Sequence, residues 1–205
     1  MRIIDVTRPV FTGMPVWPGD PPCHCGWSSR LPGDGVNVAE LSFGAHTGTH
    51  MDAPLHVLED GTRIADVSLA ACIGPVHVVD TGDAGELDAD WLAAHLPSGC
   101  ERLLLRTRVW LDATRFPETW PAFTPGAARL LADRGVRLVG TDAPSPDPAD
   151  ADDLPVHRIL LGAGIPILEN LLLGDVPGGA YELIALPLRL AEADASPVRA
   201  VLVER

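Results

Sequence analysis

The chain has 205 residues, with 28 acidic and 15 basic side chains and a formal net charge of −13. A balance this acidic repels nucleic-acid phosphates and anionic lipid, so neither a nucleic-acid nor a membrane-surface role is expected. Every basic residue is Arg, and without Lys the chain has no residue for a Schiff base, a pyridoxal phosphate anchor or a phosphate loop.

The length fits one domain over 1–205, and a hydrophobic content of 46% is enough for a full core. No apolar run reaches the ~20 residues of a membrane helix. The opening Met1-Arg-Ile-Ile-Asp5-Val-Thr-Arg-Pro9 holds an acid and breakers where a signal peptide needs an apolar stretch, so a cytoplasmic location is expected. In that compartment Cys23, Cys25, Cys72 and Cys100 are expected to be free thiols. With 20 Gly and 20 Pro, much of the chain should be turns and ordered loops.

In chain order, Ile3 to Thr7 reads as a short strand. Thr12 to Asp34 is dense in Gly and Pro and reads as a long loop or extended arm. Val36 to Phe43 alternates apolar and polar like a strand, and Ala65 to Cys72 reads as a short helix. A buried strand follows at Val76 to Asp80, then a helix over Asp88 to Leu96 capped by Asp88. Arg102 to Val109 reads as a strand. Thr124 to Asp133 carries a full set of helix signals: Thr124 as cap, Pro125 at the first position and Gly135 as terminator. Val136 to Gly140 reads as a strand, Ala151 to Leu161 as part helix, and Ile165 to Leu168, Tyr181 to Leu190 and Val198 to Glu204 as strands. Helices and strands interleave irregularly, which predicts a mixed α/β fold.

The densest chemistry lies between Gly44 and His56, where three of the seven His sit within eleven residues beside Asp52. In an extended chain His50, Asp52 and His56 share a face, and Gly48 permits a turn that returns His46 to the same point. Pro54 argues against a helix through the segment. Imidazoles and a carboxylate converging in this way suit zinc or a similar divalent ion, and two His with one Asp leave a position for water. Water so placed has its pKa lowered from ~15.7 toward ~7. The spacing differs from the His-Glu-x-x-His of zinc-protease helices, and no paired C-x-x-C suggests a zinc ribbon. Cys23-His24-Cys25 resembles a metal fragment but cannot close a tetrahedron alone. There is no G-x-S-x-G elbow for a serine hydrolase.

The segment His46-Thr-Gly-Thr-His50-Met-Asp52-Ala-Pro54-Leu-His56 resembles the H-x-G-T-H-x-D-x-P-x-H signature of the cyclase family of metal-dependent hydrolases. The likeness extends over nearly the whole chain, through Val16-Trp17-Pro18-Gly19-Asp20, Thr141-Asp142-Ala143-Pro144-Ser145, His157-Arg-Ile-Leu-Leu, Ile165-Pro-Ile-Leu-Glu169, Tyr181-Glu-Leu-Ile-Ala-Leu-Pro-Leu and Ser196-Pro-Val-Arg-Ala-Val. These flanks are most similar to bacterial members that hydrolyse N-formyl-L-kynurenine to L-kynurenine and formate. The resemblance implies a mixed-sheet, swivelling β/β/α single domain, a homodimer, and two divalent metals, zinc or else manganese. It assigns His46, His50 and Asp52 to one metal, with Asp52 bridging and His157 and Glu169 completing the other. It assigns His56 as the acid/base and Trp17 as a substrate contact. Asn170 departs from the pattern, which has Gly after the Glu169 position.

Read on its own, Trp17 between breakers is an anchor on the body or a platform for an aromatic ligand. Glu169 after an apolar strand needs a metal or an Arg as partner, or else is a surface acid. His157 reads either as a ligand or as a partly buried His on a backbone partner. His77 and His95 are expected to be structural, with Asp142 and Ser145 supporting the site from behind. Alternatives to formylkynurenine are another small amide such as isatin, or a non-catalytic metal-binding protein.

Overall fold

The computed structural model describes residues 1–204. Twelve strands and four helices follow in order: β1 (Arg2–Asp5), β2 (His24–Ser29), β3 (Val38–Ser42), β4 (His50–Asp52), α1 (Leu69–Cys72), β5 (Ile73–Asp80), β6 (Glu86–Leu87), α2 (Ala89–His95), β7 (Arg102–Arg106), β8 (Ala122–Phe123), α3 (Pro125–Asp133), β9 (Leu138–Thr141), α4 (Pro155–Gly162), β10 (Ile167–Glu169), β11 (Gly179–Pro187) and β12 (Ala195–Glu204). The main sheet runs β1-β12-β11-β5-β7-β9-β10-β4, and β4 pairs again with β12. That second pairing closes seven strands into a mixed barrel, with β1 left on the outer edge of β12. Closure works because β12 is long: Ala195–Pro197 pair with β4, while Val201–Glu204 pair with β1.

β5, β7, β9 and β10 are parallel neighbours. Parallel strands need crossovers, and α2, α3 and α4 supply them. The caps act as the sequence predicts: Asp88 accepts from the Trp91 backbone N–H, and Thr124 accepts from that of Ala127. Alternation along the strands divides two cores. Leu104, Leu138 and Leu168 point into the barrel with Met51 and Leu202. Leu103, Leu105, Val139 and Ile167 point out, under Leu131 and Leu160 of the helical layer and Phe123 of β8. Both faces of β7 are therefore covered, which explains its unbroken Leu run.

One expectation needs correction. Thr12 to Asp34 is not loop throughout, because His24–Ser29 pairs with Val38–Ser42 as a separate two-stranded hairpin. The strand expected at Val36 to Phe43 is present as Val38–Ser42, with all five residues exposed, because the hairpin pairs with no strand of the main sheet. Pro54, as expected, has no α-helix through its segment. It opens a 3₁₀ turn, Pro54–His56, from the first position, where the missing N–H costs nothing.

Candidate metal centre

The motif is built on β4. His50 and Asp52 share one face of this strand, while Met51 between them fills the barrel. β10 lies antiparallel beside it, with Glu169 directly opposite His50. α4 crosses above and contributes His157. Gly48, at φ +67°, makes the turn that brings His46 back toward Asp52. The 3₁₀ turn after β4 carries His56 to the same point, where its ring centroid lies 4.3 Å from that of His46. All six residues expected to carry metal or proton chemistry therefore meet, although they span 123 positions from His46 to Glu169.

Asp52 is at the centre and fully buried. Its carboxylate lies 3.0 Å from His46 Nδ1, 3.3 Å from His50 Nε2 and 3.5 Å from His157 Nε2. Glu169 lies 3.3 Å from His50 Nε2 and 3.1 Å from His157 Nε2. Yet neither Asp52 oxygen has a hydrogen-bond partner, and neither has His50 Nε2. Buried polar atoms are rarely left unpaired. Donor atoms about 2.0–2.1 Å from a tetrahedral ion stand roughly 3.3 Å from each other, which matches these separations. His50, Asp52 and Glu169 form one group able to hold an ion, and His46, Asp52 and His56 form another. The donor set fits a divalent cation, and Asp52 belongs to both groups.

Electrostatics agree. Burial works against charge on His46 and His50, yet nearby carboxylates, Asp52 foremost, overcome it and push the two up to about 11 and about 9. Burial likewise opposes the Asp52 charge, but His50 and His46 hold its carboxyl well below the usual range. The pocket demands positive charge, which protons or a cation can supply.

Two residues invisible to the sequence reading fix the imidazoles. Asp147, fully buried, takes His157 Nδ1 at 2.6 Å and also accepts from the backbone N–H groups of Val156 and His157, so it ties the start of α4 to the centre. Asp194, just ahead of β12, takes His46 Nε2 at 3.0 Å and His56 Nδ1 at 3.1 Å. Those two bonds are the main reason its carboxyl is held far below the ordinary carboxylate range. An Asp between two prolines ahead of a helix was the only cue to Asp147. Nothing local marked Asp194, which lies 138 positions from His56.

The centre floors a cavity of about 540 Å³. Trp17, Trp110 and Phe116 wall it on one side. Trp17 meets Phe116 edge-on at 5.8 Å and Trp120 at 6.0 Å, so it is anchored on the body while it lines the cavity. Asp20 and Asp152 also line the cavity, and among the described residues no Arg does. Ser145 lines the cavity and accepts from the Asp147 N–H. Asp142 stands further back: it accepts from the N–H and hydroxyl of Thr107 and from the Arg108 N–H, bracing the turn before Trp110. His95 stacks on Trp91 and His77 lies in β5, both away from the centre. All four Cys are free.

Asn170, at φ +58°, keeps the left-handed backbone that Gly would adopt, and its Nδ2 donates to Gly48 O, which also takes His50 Nδ1. The departure from the family pattern leaves Glu169 in place and adds a brace behind His50.

Imidazoles and carboxylates arranged for a divalent ion, beneath an aromatic-walled cavity on a closed mixed barrel, define a metal-dependent hydrolase. Within that class the chain belongs to the Cyclase family, whose model matches residues 4–148. A kynurenine formamidase of Bacillus cereus is 42% identical over 201 residues, covering 97% of this chain and 96% of its own. A solved structure described as a potential metal-dependent hydrolase with cyclase activity shares 32% identity at a TM-score of 0.86, covering 100% of this chain and 98% of that one. Isatin hydrolase A from Labrenzia aggregata shares 26% identity at a TM-score of 0.80, covering 100% of this chain and 94% of its own.

Proposed function

We propose that the chain, acting as one domain, hydrolyses N-formyl-L-kynurenine to L-kynurenine and formate. The observation that carries this is the unpaired, fully buried Asp52 between three imidazoles on the floor of an aromatic-walled cavity. The full-length likeness to kynurenine formamidase supports the choice of substrate. His46, His50 and Asp52 would hold one divalent ion, and Asp52, His157 and Glu169 a second, with zinc the best match to this donor set. Bound there, the ions supply a Lewis-acid pole for the formyl oxygen and a water that ionises near neutrality.

The chain supplies the rest. Asp194 binds His56 Nδ1, which leaves Nε2 to take a proton from the attacking water and hand it to the leaving aryl amine. Trp17 and Phe116 present aromatic surface to the substrate ring. Asp20 and Asp152 put negative charge on the wall of the cavity that would receive the substrate ammonium. The exposed apolar side chains of the β2–β3 hairpin (Trp27, Val38 and Leu41) support a homodimer formed through that arm. A cytoplasmic location accords with four free thiols. Comparing kcat/KM for N-formyl-L-kynurenine and isatin tests the substrate: formylkynurenine should be preferred, and a preference for isatin would overturn it.

A further inference from the structure

Cys23, His24 and Cys25 take no part in the centre described above. Cys23 is buried, Cys25 is half-buried, and their Sγ atoms lie 4.0 Å apart. Two positions apart where the extended chain enters β2, Cys23 just before the strand and Cys25 within it, the side chains share a face. Their main chain also closes the loop that walls the cavity. Gly13 N–H donates to Cys23 O at 3.0 Å. Cys25 N–H donates to the Thr12 hydroxyl at 2.8 Å, and that hydroxyl donates back to Cys25 O at 3.0 Å. The loop held between these bonds carries Pro15, Val16, Trp17 and Asp20 into the cavity wall.

We propose that Cys23 and Cys25 form a thiol–disulfide site oxidised by low-molecular-weight disulfides, and that closing it loosens the substrate-facing loop. The Cys25 thiolate attacks one sulfur of R–S–S–R, forming Cys25–S–S–R and releasing the first RSH. The Cys23 thiolate then attacks the Cys25 sulfur, forming the Cys23–Cys25 bond and expelling the second RSH. The two thiol protons leave on the two RSH molecules, and R–S–S–R takes the two electrons. Cys25 attacks first because it is the more exposed; burial and the adjacent Cys25 push the Cys23 thiol up. Cys72 and Cys100 do not compete, because burial raises both to about 11. An S–S bond is about 2.0 Å, so the sulfurs must close half their separation. The displacement falls on the backbone groups that hold Thr12 and Gly13.

The test is titration of the purified enzyme with oxidised glutathione, followed by peptide mass spectrometry and steady-state kinetics. The peptide holding both cysteines should lose two hydrogens, reversibly with dithiothreitol, and neither Cys23→Ser nor Cys25→Ser should do so. A glutathione adduct that stays on Cys25 without closure would overturn the site. Oxidised enzyme should show KM raised about fivefold with kcat little changed, since the loop bears Trp17 and not the imidazoles. An unchanged KM at full oxidation would overturn the link to the loop. The kinetic arm rests on the formamidase reading; if no formyl amide turns over, that reading fails while the mass arm still decides the dithiol.

Discussion

His56 sits on the turn after β4, and its Nδ1 is committed to Asp194. If it moves protons rather than holds metal, His56→Ala should keep its metal by elemental analysis while kcat falls about 10²–10⁴-fold. Loss of metal in that variant would instead make His56 a ligand alongside His46 and Asp52, a grouping their geometry also allows. Asp147 orients His157 from behind, as the outer partner of a metal-bound His does. Asp147→Asn should weaken metal affinity about 10–100-fold in a competition titration with a chelator. Unchanged affinity would leave Asp147 as a brace for α4 only.

The turn bearing His56 has no room behind it. A Cβ on Gly61 would overlap the main chain of Pro54 and Leu55. Gly61→Ala should therefore lower kcat by displacing this turn, with the β-sheet signal in circular dichroism unchanged; wild-type kcat would show that the turn adapts. At the ends of β5 and β7, Asp80 meets Arg106 and Arg108. Partial burial opposes its charge, but the Gly82 N–H and the two guanidiniums lower its pKa. A lowered folded pKa gives stability that is present above the unfolded value, about 3.9, and is lost as pH falls through the folded one. Relative to Asp80→Asn, the wild type should lose its stability advantage only below about pH 4, in chemical denaturation at stepped pH. An advantage independent of pH would refute the pairing.

Elements with local signals were legible in the sequence. Thr124, Pro125 and Gly135 bound α3, and the Leu run of β7 marks a strand covered on both faces. The motif from His46 to His56 was legible because β4 and the turns around it assemble those four residues locally. His157, Glu169 and Trp17 on their own left a site role and a structural role open, and the resemblance chose between them. Asp194 stayed hidden because its role depends on β12 pairing with β4, a contact that closes the barrel and leaves no periodicity. Of the β2–β3 hairpin only the second strand was legible: β3 alternates, whereas β2 lies in the Gly/Pro-dense stretch and has no fully buried residue to mark a face.

At the scale of the whole molecule, that exposed hairpin is the place to look for a second copy. Leu41 and Trp27 are 60% and 51% exposed, more than an isolated arm should present to water. Leu41→Asp should convert a dimer to a monomer by light scattering, and a monomeric wild type with full activity would remove the arm from the account. The barrel, the donors converging on Asp52 and the aromatic wall all serve one claim, metal-dependent hydrolysis of a formyl amide. The direct measurement is turnover of N-formyl-L-kynurenine, followed by absorbance, before and after chelation and again after zinc is restored. The account predicts rapid hydrolysis, abolished by the chelator and recovered with the metal. Hydrolysis that continues unchanged in metal-stripped protein would contradict it.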